Sequence, residues 1–198
     1  MHELRTEDAD WASGVLEQAF RADPMVNFVF GEEPGAPGRV NWFFKALFRY
    51  ATLYGGCSST PDKDGVLMML PPAQAHATFG KMCRAGILSA PRRMGWAPVS
   101  RFMKVSDFVE KEHKAAAPFE HFYVMMMGVL PDRQGMGVGR ALLTQALATV
   151  DTHKLPCYLE TQNESNVAIY ERFGFALISE KEMPNGGLRS WGMLREKR

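Results

Sequence analysis

The stretch GVLPDRQGMGVGRALL, Gly128 to Leu143, decides how this chain is read. Gly135, Gly137 and Gly139 alternate with other residues where an amphipathic helix begins. Ser or Asp would cap that helix better, and each glycine costs backbone entropy. Glycines are used there when another body comes too close for side chains. The bare N–H groups of a helix N-terminus suit a phosphate. Two familiar phosphate loops do not fit. G-x-G-x-x-G would need glycine at Arg140 or Leu142, and G-x-x-x-x-G-K-[ST] would need a lysine. A glycine-rich turn without a ligand needs one or two glycines, not three followed by an arginine.

Working outward, FEHFYVMMMGVL before the loop reads as a long strand, apolar on both faces. After the loop comes a helix carrying Val138, Leu142, Leu143, Ala146, Leu147 and Val150 on its apolar stripe. PCYLET reads as a strand, ESNVAIYERF as a short helix, and GFALISEKEM and LRSWGMLRE as two more strands. The second half is therefore β-α-β-α-β-β. The first half reads as mostly helical. Thr6 caps a helix with Trp11, Val15, Leu16 and Phe20 on one stripe, and Asp23-Pro24 ends it. GEEPGAPG is a loop, and Val40 to Tyr54 is an aromatic-rich helix stopped by Gly55-Gly56. GVLMMLPP is a short buried strand. Gln74 to Met103 is helical but broken at Pro91 and Pro98, and Phe102, Val105, Phe108 and Val109 mark a further helix.

Length and composition set bounds on this reading. At 198 residues the chain suits one domain, and 46% apolar residues suffice for its core. A net charge of +1 with no basic run argues against nucleic acid as a partner. No segment is long and apolar enough for a membrane span, and MHELRTEDAD lacks the apolar core of a signal peptide. A cytoplasmic protein is the expectation. Cys57, Cys83 and Cys157 are scattered and form no C-x-x-C pair, so neither a cysteine zinc motif nor a disulfide framework is indicated. No metal is expected.

Strand, V-x-P, then Gln134, Gly137 and Gly139 in the pattern Q-x-x-G-x-G, then Arg140 and a helix, resembles the acetyl-coenzyme-A motif of the GNAT N-acetyltransferase superfamily. One helix and one strand later, LETQNESNVAIYERFGF is similar to that superfamily's second signature, with Tyr170 and Gly174-Phe175. QAFRADPMVNFVF and EMPNGGLRSWGML resemble the opening and closing segments of its puromycin N-acetyltransferase-like branch. The resemblance implies a mixed α/β (α+β) GNAT fold: a central mixed, mostly antiparallel, twisted sheet of about six to seven strands. That sheet would be splayed between its two central strands and flanked by helices. It implies a single domain over 1–198, with 1–118 a helical acceptor-side half and 119–198 the half that binds acetyl-CoA. It also implies acetyl-CoA as co-substrate, a small-molecule amine as acceptor, and a direct transfer within a ternary complex. Neither nucleic acid nor membrane is an expected partner, and a homodimer is left open.

By the same resemblance, pantetheine would lie along the strand and bond the backbone of Met127 and Val129. N–H groups over Gly135, Met136, Gly137, Val138, Gly139 and Arg140, with Gln134, would wrap the pyrophosphate. Tyr170 matches the general acid that protonates the leaving thiolate. Asn163 and Asn166 both fit a coenzyme A contact, the other being a helix cap. Glu120 and His121 at the start of the strand, and Glu160 on the next, are the candidates for the base, and a water chain is the alternative. Tyr170 would pack a short helix if it were not catalytic, and each of the three bases would be a solvated or paired surface group. Two other functions stay open: transfer to a protein N-terminus or lysine, and acyl-CoA binding without catalysis. An open acidic groove would mark the former, and a missing general acid the latter.

Overall fold

The computed structural model describes residues 2–31, 38–184 and 187–198, so most of the loop read over 31–38 lies outside the described residues. Seven strands form one sheet in the order β1-β2-β3-β4-β5-β7-β6. They are β1 (His2–Leu4), β2 (Gly56–Ser59), β3 (Gly65–Leu70), β4 (Phe122–Val129), β5 (Cys157–Thr161), β6 (Ala176–Glu182) and β7 (Arg189–Arg195). Every pairing is antiparallel except β4 with β5. The helices are α1 (Ala9–Ala19), α2 (Pro24–Phe30), α3 (Arg39–Tyr54), α4 (Phe79–Arg84), α5 (Ala90–Met94), α6 (Trp96–Ala116), α7 (Val138–His153) and α8 (Val167–Glu171).

The core has two layers because strands alternate their side chains between faces. On β3, Val66 and Met68 pack with α1, α2, α3 and α6 on one side. Leu67 packs on the other, with Leu142, Leu143, Leu147 and Val150 of α7 and with Tyr170 and Phe175. Phe43 centres the first layer, with ring centroids 5.6 Å from Phe30, 5.3 Å from Phe44 and 5.0 Å from Phe102. These edge-on contacts fix α3 against α2 and α6.

The first half is less purely helical than its sequence suggests. It supplies three strands, and two of them are too short or too polar to show periodicity: HEL and GCSS. Prolines also begin helices here where the sequence suggested breaks. Pro24 opens α2, with Asp23 as its cap accepting from the amides of Met25 (2.9 Å) and Val26 (3.3 Å). Pro91 and Pro98 lie in the first turns of α5 and α6, where the missing N–H costs nothing. The stripe Phe102 to Val109 is thus part of one 21-residue helix, not a separate one.

Candidate functional site

The site arises where the sheet forks. β4 and β5 pair only at Phe122↔Cys157 and Tyr123↔Tyr158. Beyond that point β4 continues to Val129 and β5 to Thr161 without pairing. Against β3, the register of β4 slips so that Met125 has no opposite residue. Such a bulge bends a strand and increases its twist, which carries β4 away from β5. The edge of β4 is left open over its second half, where an extended chain can bond as a strand would.

The glycine loop stands at the far end of β4. Pro131–Arg133 form a single 3-10 turn, and Gln134 Nε2 donates to the Val129 carbonyl at 3.2 Å, holding the loop to the strand. Gly135 and Gly137 have φ of +77° and +87°, conformations that favour glycine. Gly137 is the N-cap of α7, and no side chain caps that end. The amides of Val138, Gly139 and Arg140 therefore point outward from the N-terminus of a 16-residue helix, an arrangement suited to a pyrophosphate. The Met136 amide bends back to the Arg133 carbonyl at 3.4 Å. Gly135, Met136, Gly137 and Arg140 are exposed, and Val138 and Gly139 half-buried. A Cβ on Gly139 would lie 3.6 Å from Val129 and 3.7 Å from Met127, which is ordinary contact. So Gly139 is not required by local packing; without a side chain it leaves the approach to the loop clear.

A cavity of about 190 Å³ opens in the fork. Its body is apolar: Phe43 and Leu47 of α3, Phe102, Val105 and Val109 of α6, and Met125 and Met127 of β4 all face it. A cluster of polar groups adjoins it. Tyr123 and Tyr158 are paired residues, and Glu160 lies two further along β5, so all three share one face of the sheet. The Tyr123 hydroxyl donates to Glu160 Oε1. Glu160 Oε2 is buried and without a hydrogen-bond partner among the described residues. Burial pushes the Glu160 carboxyl up to about 8, against the opposing effect of the Tyr123 hydroxyl. Burial and the adjacent carboxylate likewise raise the Tyr123 phenol well above the usual tyrosine range. Glu110 of α6 and Asp23 complete an acidic lining in an apolar wall, and the Asp23 carboxyl is also raised by burial.

Tyr170, on α8, faces the same cavity, and its phenol is pushed up to about 12 by burial. Its hydroxyl makes no hydrogen bond among the described residues. The two asparagines divide clearly. Asn163 Oδ1 accepts from the Ser165 amide at 3.1 Å and hydroxyl at 2.8 Å, as a cap. Asn166 lines the cavity, steadied by Nδ2 donating to Thr161 Oγ1 at 3.1 Å. Two of the suggested bases are not brought to the site. Glu120 is exposed and does not line the cavity. His121 is buried outside it, with Nδ1 at 2.6 Å from the Phe119 carbonyl and Nε2 at 2.7 Å from His113 Nε2. Both sit before the paired start of β4, whereas the fork lies beyond it. Glu110, Asp23 and Tyr123 were not foreseen. The one available sign was polar residues inside otherwise apolar strand and helix stripes.

Known proteins resemble the chain in sequence and in fold. Residues 103–177 match the family model of the acetyltransferase (GNAT) domain. Residues 103–177 are thus similar to a GNAT acetyltransferase domain, and the seven-stranded sheet has the fold of the solved acetyltransferases. The mycothiol acetyltransferase of Streptomyces coelicolor is 42% identical over 55 residues, which are 26% of this chain and 18% of that protein. The matched segment therefore spans about a fifth of that relative's length. Among solved structures, histone acetyltransferase HPA2 and related acetyltransferase from Corynebacterium glutamicum has a TM-score of 0.69 at 18% identity, covering 100% of this chain and 95% of that one. The polyamine N-acetyltransferase of Drosophila melanogaster has a TM-score of 0.64 at 12% identity, covering 98% of each chain. At these identities the two structures speak to the fold. Among the described residues, no helix is long and apolar enough to cross a membrane.

Proposed function

We propose that the chain is an acetyl-CoA-dependent N-acetyltransferase. It transfers the acetyl group to a primary amine of a small molecule by direct attack in a ternary complex. One observation carries the reading: the fork between β4 and β5 joins the uncapped N-terminus of α7 to a cavity lined by Glu160 and Tyr170. Acetyl-CoA supplies an activated acetyl thioester. The residues of the chain do the rest. Amides of Val138, Gly139 and Arg140 hold the pyrophosphate, with Gln134 fixing the loop and Gly135 and Gly137 shaping it. The open edge of β4, at Met127 and Val129, holds the extended arm and offers an N–H to the carbonyl that becomes negative. Asn166 takes the coenzyme contact and Asn163 the capping role.

The proton inventory follows from burial. An amine enters as an ammonium and must lose a proton before it can attack. Glu160, at about 8, is matched to that proton near neutral and mildly alkaline pH. The Tyr123 hydroxyl holds one of its oxygens and leaves the other for the amine. The Tyr170 phenol faces the cavity to protonate the departing thiolate. On this reading 1–198 acts as one domain: 119–198 binds the donor and α3 and α6, within 1–118, wall the acceptor.

The acceptor is a small amine with an apolar body, because most of the wall is apolar and the acids are few. The resemblance of QAFRADPMVNFVF and EMPNGGLRSWGML to the puromycin N-acetyltransferase-like branch supports that acceptor class. The test is a panel of primary amines with acetyl-CoA, reading the thiol released. Turnover with small amines and none with peptides supports the reading. Turnover with peptides alone would reassign it to protein substrates.

A further inference from the structure

Beside the polar groups of the cavity, three histidines and a glutamate are packed together. His76 precedes α4, and Glu110 and His113 lie three apart on α6, hence on one helix face. Single donor atoms of His76, Glu110 and His113 all lie within 4.8 Å of one another. The ring of His121 closes the group, 4.9 Å from His113 and 5.9 Å from His76 between centroids.

The hydrogen bonds assign the tautomers. A carbonyl only accepts, so the Nδ1 at 2.6 Å from the Phe119 carbonyl is the protonated nitrogen of His121. Neutral His121 then has a bare Nε2, which accepts from His113 Nε2 at 2.7 Å. Buried His113, donating through Nε2, is left with the lone pair on Nδ1. This is how proteins prepare a metal-binding histidine: one N–H is fixed from behind and the other nitrogen is offered. Two more donor atoms lie side by side in an ion-pair contact rather than an aligned hydrogen bond. His76 Nδ1 and Glu110 Oε1 are 3.1 Å apart, yet both are buried without a hydrogen bond among the described residues. Their spacing is near the roughly 3.3 Å between two ligands held about 2.0–2.1 Å from one tetrahedral ion. Lys114 Nζ stands 3.1 Å from the same Glu110 oxygen. It is largely exposed, and a surface pair one helical turn apart is weak enough to yield.

We propose that His76, Glu110 and His113 form a site for a divalent transition-metal ion of the zinc type, with His121 steadying His113 from behind. Two imidazoles and a carboxylate suit such an ion, and not magnesium or calcium, which take oxygen ligands. Half-exposed His76 leaves the group reachable from solvent. The ion would tie residues 72–77 to α6 at the cavity wall and neutralise Glu110.

The full chain is stripped with chelator and titrated with zinc chloride alone by calorimetry. Cobalt chloride is added separately and followed by visible absorption for a tetrahedral spectrum. One ion per chain is expected. His76→Ala and His113→Ala should each weaken binding at least about tenfold, and His121→Phe should do so by about 10–100-fold by releasing the His113 ring. His153→Ala, at the end of α7, should change nothing. Should His113→Ala not fold, His76→Ala, at a half-exposed position outside the helices, gives the result. No saturable binding up to about 100 µM, a ceiling well above the dissociation constant of a functional site, overturns the proposal. Unchanged affinity in His76→Ala overturns it as well. Neither readout depends on acetyl transfer.

Discussion

Replacing Glu160 with Gln removes the proton acceptor while keeping the shape of the side chain and a carbonyl oxygen for the Tyr123 hydroxyl. A positioned general base contributes about 10²–10⁴-fold, so kcat/KM should fall by that order while the fold survives. The pH dependence is sharper still. With its carboxyl at about 8, roughly a tenth of Glu160 is ionised near pH 7 and about nine-tenths near pH 9. The ratio of wild-type kcat/KM to that of Glu160→Gln should therefore rise about tenfold over that range, since the ratio cancels the titration of the acceptor itself. Released thiol is measured with saturating acetyl-CoA in chelator-treated buffer. The groups facing Glu160 that titrate in its neighbourhood are Tyr123, Tyr158 and Glu110, and the two phenols stay protonated throughout. A variant within about twofold of wild type, or a ratio flat in pH, refutes Glu160 as the base and leaves the proton to water.

Tyr170→Phe keeps the ring that packs α8 and should lower kcat by about 10²–10⁴-fold with little change in KM for acetyl-CoA and in Tm; a rise in KM alone would make Tyr170 a binding group. Gly137→Ala puts a Cβ at φ +87° and should cost about 1–2 kcal/mol in chemical denaturation, whereas Gly139→Ala, in regular helix, should leave stability nearly unchanged. Gly137→Glu should in addition sharply weaken acetyl-CoA binding in calorimetry; unchanged affinity in the folded variant would remove the loop from the donor site. The raised Glu160 carboxyl also fixes a sign for stability: the folded chain keeps this proton to higher pH than the unfolded chain, so its contribution is full below about 4.5 and is lost as pH rises towards 8. Wild-type Tm should accordingly fall relative to Glu160→Gln across that window, and parallel curves would contradict the burial of the charge.

Much of the glycine loop and of α7 was legible in the sequence because their signals are local. Glycine spacing, the V-x-P turn and the apolar stripe of α7 each act within a few residues, and all stand where they were expected. The cavity was not, because it is built by packing. Glu110 reads as one more charge on a helix face until α6 is laid across the fork. Tyr123 and Glu160 meet only because a parallel pair brings distant strands together, 37 residues apart in sequence. His121 shows the opposite failure. Its residue type suits a base, but two hydrogen bonds hold it against His113 and the backbone, outside the cavity. The short strands β1 and β2 escaped because three or four residues cannot display a period.

The most direct measurement of the central claim is the acceptor profile: kcat/KM for acetyl-CoA with primary amines bearing an apolar chain or ring, with linear polyamines, and with peptides bearing a free N-terminus. The largely apolar lining of the fork should favour the apolar monoamines by at least about tenfold over the other two classes, each tenfold standing for about 1.4 kcal/mol of transition-state contact. Equal or better turnover of peptides, or no thiol release with any amine while acetyl-CoA still binds, would contradict the assignment of this cavity as the acceptor site.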